Sequence, residues 1–363
     1  MSDFIMQMRP WFGEEERRAI TDYMLSDGFL TEYKNTKLFE EQIAEFTGVK
    51  NCIVVNNGTI SLTLAALALG IGQGDEVLVP NYTMIATPNS MKLIGAEPIF
   101  IDVEKSTLCM DFNKLEESLT SKTRAMIIVS ANGRFPTTDI EKYIQFSNQK
   151  GLHVIEDAAQ SLGSYYPDKQ HIGSKGSIGS FSFSMPKIIT TGQGGALITD
   201  DDNLAMKLRK LKDFGRSQGG LDVHDSIGFN SKFTELQAVI GLEQVKKIEF
   251  RMKRKKEIWL KYQANLSNVN EVTLFEHNLE FTTPWFIDSL CNDRDRLLNY
   301  LNQNSVGSRV MYPPLNRQAC YNKPGHFPVS DEIGEKGLWL PSYAQLADEQ
   351  INFVTDKIKT FYH

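Results

Sequence analysis

Residues 51–74 read NCIVVNNGTISLTLAALALGIGQG. Residues 52–55 are a run of apolar β-formers and Asn56, Asn57 and Gly58 break it. Residues 61–70 then set Ala and Leu at helical spacing until Gly72 and Gly74 stop the helix. Strand, turn and helix in that order begin a crossover unit, and the pattern repeats downstream. Residues 76–79 (EVLV) form a strand closed by Pro80, residues 86–94 a helix, and residues 97–101 another strand. Residues 125–129 (AMIIV) and 153–155 (HVI) continue the series. Residues 181–183 and 196–199 add two strands around a turn that carries Lys187 and several glycines. Short apolar strands alternating with helices predict an α/β fold, with a mainly parallel sheet sandwiched by helices.

Beyond this region a short basic helix is expected over 204–211 and a long charged one over 234–266, where RMKRKK (251–256) reads as a solvated face. After Glu271 the pattern becomes a smaller α+β segment, with a strand near 308–312 and a last helix over 348–361. A chain of 363 residues exceeds one compact core. The expected division is a large α/β domain over 1–245, including an N-terminal helical segment, and a connecting helix plus small domain over 246–363.

Acidic residues outnumber basic ones, 45 to 39, which removes a general drive toward nucleic acid or anionic lipid. The longest apolar stretch, 61–72, holds about a dozen residues, short of a bilayer span. The opening MSDFIMQMRPWFGEEE lacks the pattern of a secretory leader, so a cytoplasmic protein is expected. Cys52, Cys109, Cys291 and Cys320 are too dispersed for a zinc site or redox pair and read as buried free thiols. The six histidines are equally scattered, and no metal site is expected.

Three features carry chemistry. Gly58 and Thr59 open an Ala/Leu-rich helix, where free N–H groups and the helix dipole favour a phosphate; a plain turn and helix cap would look the same. Asp157 ends an apolar strand in VIEDAAQ (154–160), where buried charge is costly unless it meets a cation such as a protonated pyridine nitrogen; a capping aspartate is the other reading. Lys187 stands in SFSFSMPKIITTGQGG (180–195), a Ser- and Gly-rich link between two strands. A desolvated lysine there can form a Schiff base with an aldehyde. Pyridoxal phosphate supplies an aldehyde, a ring nitrogen and a phosphate, the last also within the chemistry of Ser182.

The order of NNGT (56–59), GDEVLVP (74–80), EDAAQSLGS (156–164), FSFSMPKIITTGQGG (181–195), GFNSKFTELQAVIGLEQ (228–244) and RVMYPPL (309–315) resembles the DegT/DnrJ/EryC1/StrS family of sugar aminotransferases. DGFLTEYKNTKLFEEQIAEFTG (27–48) is similar to that family's start, so the resemblance covers nearly the whole chain. It implies the fold type I architecture of aspartate aminotransferase and a homodimer with shared active sites. Lys187 matches the Schiff-base lysine, Asp157 the pyridinium partner and Gln160 the amide beside the ring hydroxyl. Gly58, Thr59 and Ser182 match phosphate ligands. Asn230 matches an asparagine that reaches the phosphate from the neighbouring subunit.

Three positions depart from the family pattern. Met84 stands where many members stack an aromatic ring on the cofactor, with Tyr82 two places earlier. Gln193 replaces a usual Glu, and Asn132-Gly133-Arg134 replaces a usual Tyr-Gly. The resemblance implies transfer of an amino group, with glutamate as donor, to a keto or aldehyde sugar. That sugar is either a nucleotide-linked keto-deoxyhexose or the C8 aldehyde of a 3-deoxy-octulosonate, whose carboxylate Arg134 or Arg309 could pair. The setting is amino-sugar synthesis for bacterial lipopolysaccharide or other surface polysaccharide. A sugar dehydratase on the same fold is disfavoured by Lys187, since family dehydratases carry histidine there. A non-catalytic binding protein would have little use for the lysine, aspartate and phosphate cradle together.

Overall fold

In the computed structural model, which describes residues 4–219 and 221–363, the chain is organised on two sheets. Helices α1 (Glu14–Leu25) and α2 (Lys34–Thr47) precede β1 (Asn51–Val55) and α3 (Gly58–Ala68). Then follow β2 (Glu76–Pro80), α4 (Ala86–Lys92), β3 (Glu97–Ile101), β4 (Thr123–Val129), α5 (Ile140–Lys150) and β5 (His153–Asp157). β6 (Ile178–Ser182), β7 (Gly195–Thr199) and α6 (Asp202–Lys212) complete the alternation. The seven strands lie in the order β1-β7-β6-β5-β4-β2-β3, with β7 antiparallel to both neighbours and the other pairs parallel. Both faces are covered, which is why these strands read as continuous apolar runs. Phe39 and Ile43 of α2 pack with Val54, Leu78, Met126 and Ile128 on one face. Leu62 and Ala65 of α3 pack with Val77 and Ile127 on the other.

The α/β expectation holds, with local differences. The strand expected over 181–183 starts earlier, because Gly179 and Ser180 pair with Ile198 and Leu197 of β7. A Cβ at Gly179 would stand 2.0 Å from the Gly173 carbonyl, so the tight crossing demands a residue that carries no β signal. The long helix expected over 234–266 is two helices, α7 (Glu235–Val245) and α8 (Ile248–Leu266). No Gly or Pro marks the break. It is held by Lys247, whose ammonium lies 2.7 Å from the buried Glu16 carboxylate of α1.

RMKRKK is not a uniformly solvated face: Arg251 and Lys255, one turn apart, are buried. Arg251 donates to the carbonyls of Ile188 and Trp11, both at 2.9 Å, and Lys255 donates to the Ser342 carbonyl.

The second sheet contains β8 (Val272–Leu274), β9 (Ile287–Cys291), β10 (Arg309–Val310) and β11 (Gly337–Leu340) in the antiparallel order β10-β11-β9-β8. α9 (Arg294–Gln303), α10 (Pro328–Lys336) and α11 (Asp348–Tyr362) accompany it. Its core joins Trp259 and Tyr262 of α8 to Ile287, Leu301 and Ile358, and also takes in Ile5, which bridges to Val306. Cys52, Cys109 and Cys291 are buried free thiols, whereas Cys320, expected to be buried, is exposed. Among the described residues no helix is long and apolar enough to cross a membrane.

Candidate active site

The C-terminal ends of β1, β5 and β6 open onto one cleft of about 680 Å³, lined by Gly58, Thr59, Met84, Asp157, Gln160, Ser182 and Lys187 among others. Its size suits a small-molecule site, and its place follows the rule that α/β sheets bind ligands beyond their strand ends. Seven of the eight residues expected to form the site are thus brought together. The eighth, Asn230, is exposed and outside this cleft, on a segment that bridges to Asp213.

At the end of β1, Asn57 caps α3 by accepting the Ile60 N–H at 2.9 Å. The N–H groups of Gly58 and Thr59 then have no protein acceptor among the described residues, and they sit at the positive end of α3. Ser182 at the end of β6 crosses directly over this turn: a Cβ on Gly58 would lie 2.9 Å from that of Ser182. Glycine is needed for that approach, and the result is an anion cradle of two amides beside a hydroxyl.

Asp157 at the end of β5 is buried, and burial pushes its carboxyl pKa up. Opposing this are the Thr87 hydroxyl, which donates at 2.7 Å, the Ala159 N–H at 3.2 Å and the charge of Lys187. Burial brings the Lys187 ammonium down to about 8, with Asp157 acting in the other direction. Its Nζ finds no hydrogen-bond acceptor among the described residues and lies 4.1 Å from the centre of the Trp285 ring. A lysine in this state offers a substantial neutral fraction near neutral pH, as a nucleophile or base must.

Gln160 accepts the Asn132 N–H on Oε1 at 2.7 Å, which leaves its NH₂ group free to donate. Met84, 44% exposed, lines the cleft, and Gln193 does so as well. Tyr82 does not: it is buried beside Tyr312, with ring centres 5.9 Å apart, and is no substitute for a stacked aromatic. Arg134 is also unavailable as a substrate ligand. It is buried, forms a two-pronged pair with Asp288 (2.5 and 3.2 Å) and donates to His277 at 3.0 Å. Two contributors were missed in the sequence. Thr87 and Trp285 lie 70 and about 100 positions from the residues they touch, and neither belongs to a motif around the lysine or aspartate.

A family model described as the DegT/DnrJ/EryC1/StrS aminotransferase family matches residues 11–359. The chain belongs to this family. It is 33% identical to the GDP-perosamine synthase of Escherichia coli O157:H7, over 99% of both chains, and 31% identical to that of Vibrio cholerae, over 98% of both. Among solved structures, S. venezuelae DesV in complex with a ketimine intermediate superimposes with a TM-score of 0.91 at 28% identity, covering 96% of this chain and 94% of that one. The protein is a sugar aminotransferase of fold type I that uses pyridoxal phosphate.

The cleft fits that cofactor on its own chemistry. Among the described residues, two unclaimed amides and a hydroxyl suit a phosphate, a buried carboxylate with few donors suits a cation, and an amine without an acceptor suits an aldehyde. Among the described residues no three His, Cys, Asp or Glu side chains gather as a metal site.

Proposed function

We propose that the enzyme moves an amino group from glutamate to the keto carbon of a nucleotide-linked deoxyhexose, in sites that two copies of the chain build together. The observation that carries this reading is the single cleft in which Lys187 and Asp157 meet the free N–H groups of α3, in a chain one-third identical end to end to GDP-perosamine synthases. A role in making surface polysaccharide is supported by 30% identity to the spore coat polysaccharide biosynthesis protein SpsC of Bacillus subtilis, over 98% of this chain and 96% of that one. The octulosonate alternative is weakened because Arg134 is committed to Asp288, leaving only Arg309 of the two arginines for a substrate carboxylate.

In this reading Gly58, Thr59 and Ser182 hold the phosphate, Gln160 donates to the ring hydroxyl and the Met84 thioether packs on the ring face. Asp157 holds the proton on the ring nitrogen. The cofactor, when bound, supplies an aldehyde to carry the amino group and a ring that draws electrons from the reacting carbon. Lys187 carries the cofactor at rest and, once released, takes the proton from the donor carbon and returns it on the other side of the transfer.

Asn230 completes the phosphate site of the partner subunit. Pairing of two copies is supported by large apolar side chains left in solvent on neighbouring segments: Leu25, Phe29 and Leu30 on one, Ile227 and Phe229 beside Asn230 on the other. We also read 1–245 and 246–363 as the large and small units, with residues 1–3 outside the described part and α8 starting at Ile248.

The test is direct. Purified enzyme with glutamate is offered a GDP-linked 4-keto-6-deoxyhexose, its TDP-linked counterpart and an aldehyde-bearing 3-deoxy-octulosonate, and products are weighed by mass spectrometry. An amino sugar from a nucleotide-linked substrate is expected, and amination of the octulosonate alone would overturn the assignment.

A further inference from the structure

Lys187 must leave the cofactor in each half of the reaction, and its amine then needs a place that neither blocks the substrate nor loses reach. We propose that the face of the Trp285 indole is the seat that receives the ε-ammonium of Lys187 whenever the lysine is released. The inference rests on the reading of Lys187 as the cofactor-bearing residue.

The geometry is specific. Nζ lies 4.1 Å from the indole centre, well inside the range in which an ammonium is drawn to the negative face of an aromatic ring. No oxygen or nitrogen among the described residues accepts from it, so the ring is its one electrostatic partner at contact distance.

The indole is held in place by three neighbours. Its Nε1–H donates to the Pro186 carbonyl at 2.6 Å, tying the ring to the turn that carries the lysine. Phe286 stacks on it at 3.9 Å and Trp339 meets it edge-on at 6.0 Å. Asn132, in the left-handed conformation with φ 55°, grips Phe286 by accepting its N–H at 2.6 Å and donating to its carbonyl at 2.9 Å. The same Asn132 donates its own N–H to Gln160 in the cleft. The seat and the cofactor amide are thus set by one residue, at a position where this chain departs from the usual family sequence.

Methoxyamine tests the seat whatever the natural donor. Its nitrogen forms a C=N bond to the cofactor's aldehyde carbon as the bond from that carbon to Lys187 breaks. Both protons of the reagent nitrogen end on lysine, which keeps the proton its nitrogen already carried in the protonated linkage and so leaves as the ammonium, and nothing is oxidised or reduced. The loss of the near-ultraviolet to visible band is titrated in the holoenzyme and in its Trp285→Phe and Trp285→Leu forms.

At pH 7 the Leu form is expected to need about 2- to 30-fold more reagent than wild type, with the Phe form in between. At pH 10 the three midpoints converge, because a neutral amine has no attraction to the ring. Equal midpoints at pH 7, or a difference that persists unchanged at pH 10, overturn the seat. If the Leu form does not fold, the Phe form compared at the two pH values decides alone. A wild-type protein without the band, or unresponsive to methoxyamine, would instead sink the assignment of Lys187.

Discussion

Stripping the cofactor and adding pyridoxal phosphate back across a range of pH reads the protonation of Lys187. Only the neutral amine attacks an aldehyde, and burial brings this lysine from 10.5 to about 8. At pH 7 an exposed lysine is neutral in about one molecule in three thousand, and a lysine at 8 in about one in ten, a gain of about 300-fold. The sign is fixed by the charge. Protonation blocks the reaction, so the rate of cofactor capture climbs about tenfold per pH unit on the acid side and levels off above about 8. Asp157 favours the ammonium, so Asp157→Asn moves the plateau to lower pH, while Lys187→Ala abolishes capture. Stopped-flow absorbance gives the rates. A rate that keeps rising tenfold per unit to pH 10, as for a lysine in water, would refute the claim that the pocket tunes this amine.

Asp157→Asn keeps the shape and the Thr87 contact but loses the charge proposed to hold the ring proton, and kcat is expected to fall roughly 10- to 150-fold with the fold intact by circular dichroism. Arg134→Met strands the buried Asp288 carboxylate and should cost about 3–5 kcal/mol in urea unfolding, most of it recovered when Asp288→Leu is added. Mixing Lys187→Ala with Asn230→Ala protein should restore roughly a quarter of wild-type activity if each site takes Asn230 from the other chain, and none if it takes its own.

Much of the large sheet was legible because its strands are buried on both faces and separated by Gly- and Pro-marked turns; β3 at Glu97–Ile101 falls on the residues the pattern picks out. Where the reading slipped, tertiary contacts override local pattern. Gly179 joins a strand because Gly173 passes too close for any side chain. The α7–α8 junction has no breaker residue and depends on Lys247 meeting Glu16, 231 positions away. Arg251 and Lys255 look like surface charge until carbonyls of the lysine turn, the N-terminal segment and Ser342 arrive to accept from them. Asp157 was readable because it ends β5, and Lys187 and the Gly58 turn because each follows within a few residues of its own strand. Thr87 and Trp285 were not, since they act across the fold.

The contrast between Glu156 and Asp157 supports the proposal that the second, and not the first, is the functional acid. Both end β5, both are buried, and burial pushes the pKa of both upward. As neighbours on a strand they point to opposite faces of the sheet. Glu156 accepts from the Tyr166 hydroxyl at 2.6 Å and from the N–H groups of Gly173, Lys175 and Gly176 at 2.9, 2.6 and 2.6 Å. A carboxylate has about four acceptor positions, so Glu156 is saturated and serves to fold the loop before β6. Asp157 has two donors, Thr87 and Ala159, and keeps the remaining capacity toward the cleft. Lys187 shows the same imbalance with opposite sign, three donor positions and no acceptor among the described residues. Burying an acid and a base that do not hydrogen-bond each other costs stability, and under the proposed function a molecule with a cationic nitrogen at one end and an electrophilic carbon at the other would offset that cost. The distribution of unmet hydrogen bonds, rather than burial or charge alone, therefore separates the ionisable groups proposed to do chemistry from those that hold the fold.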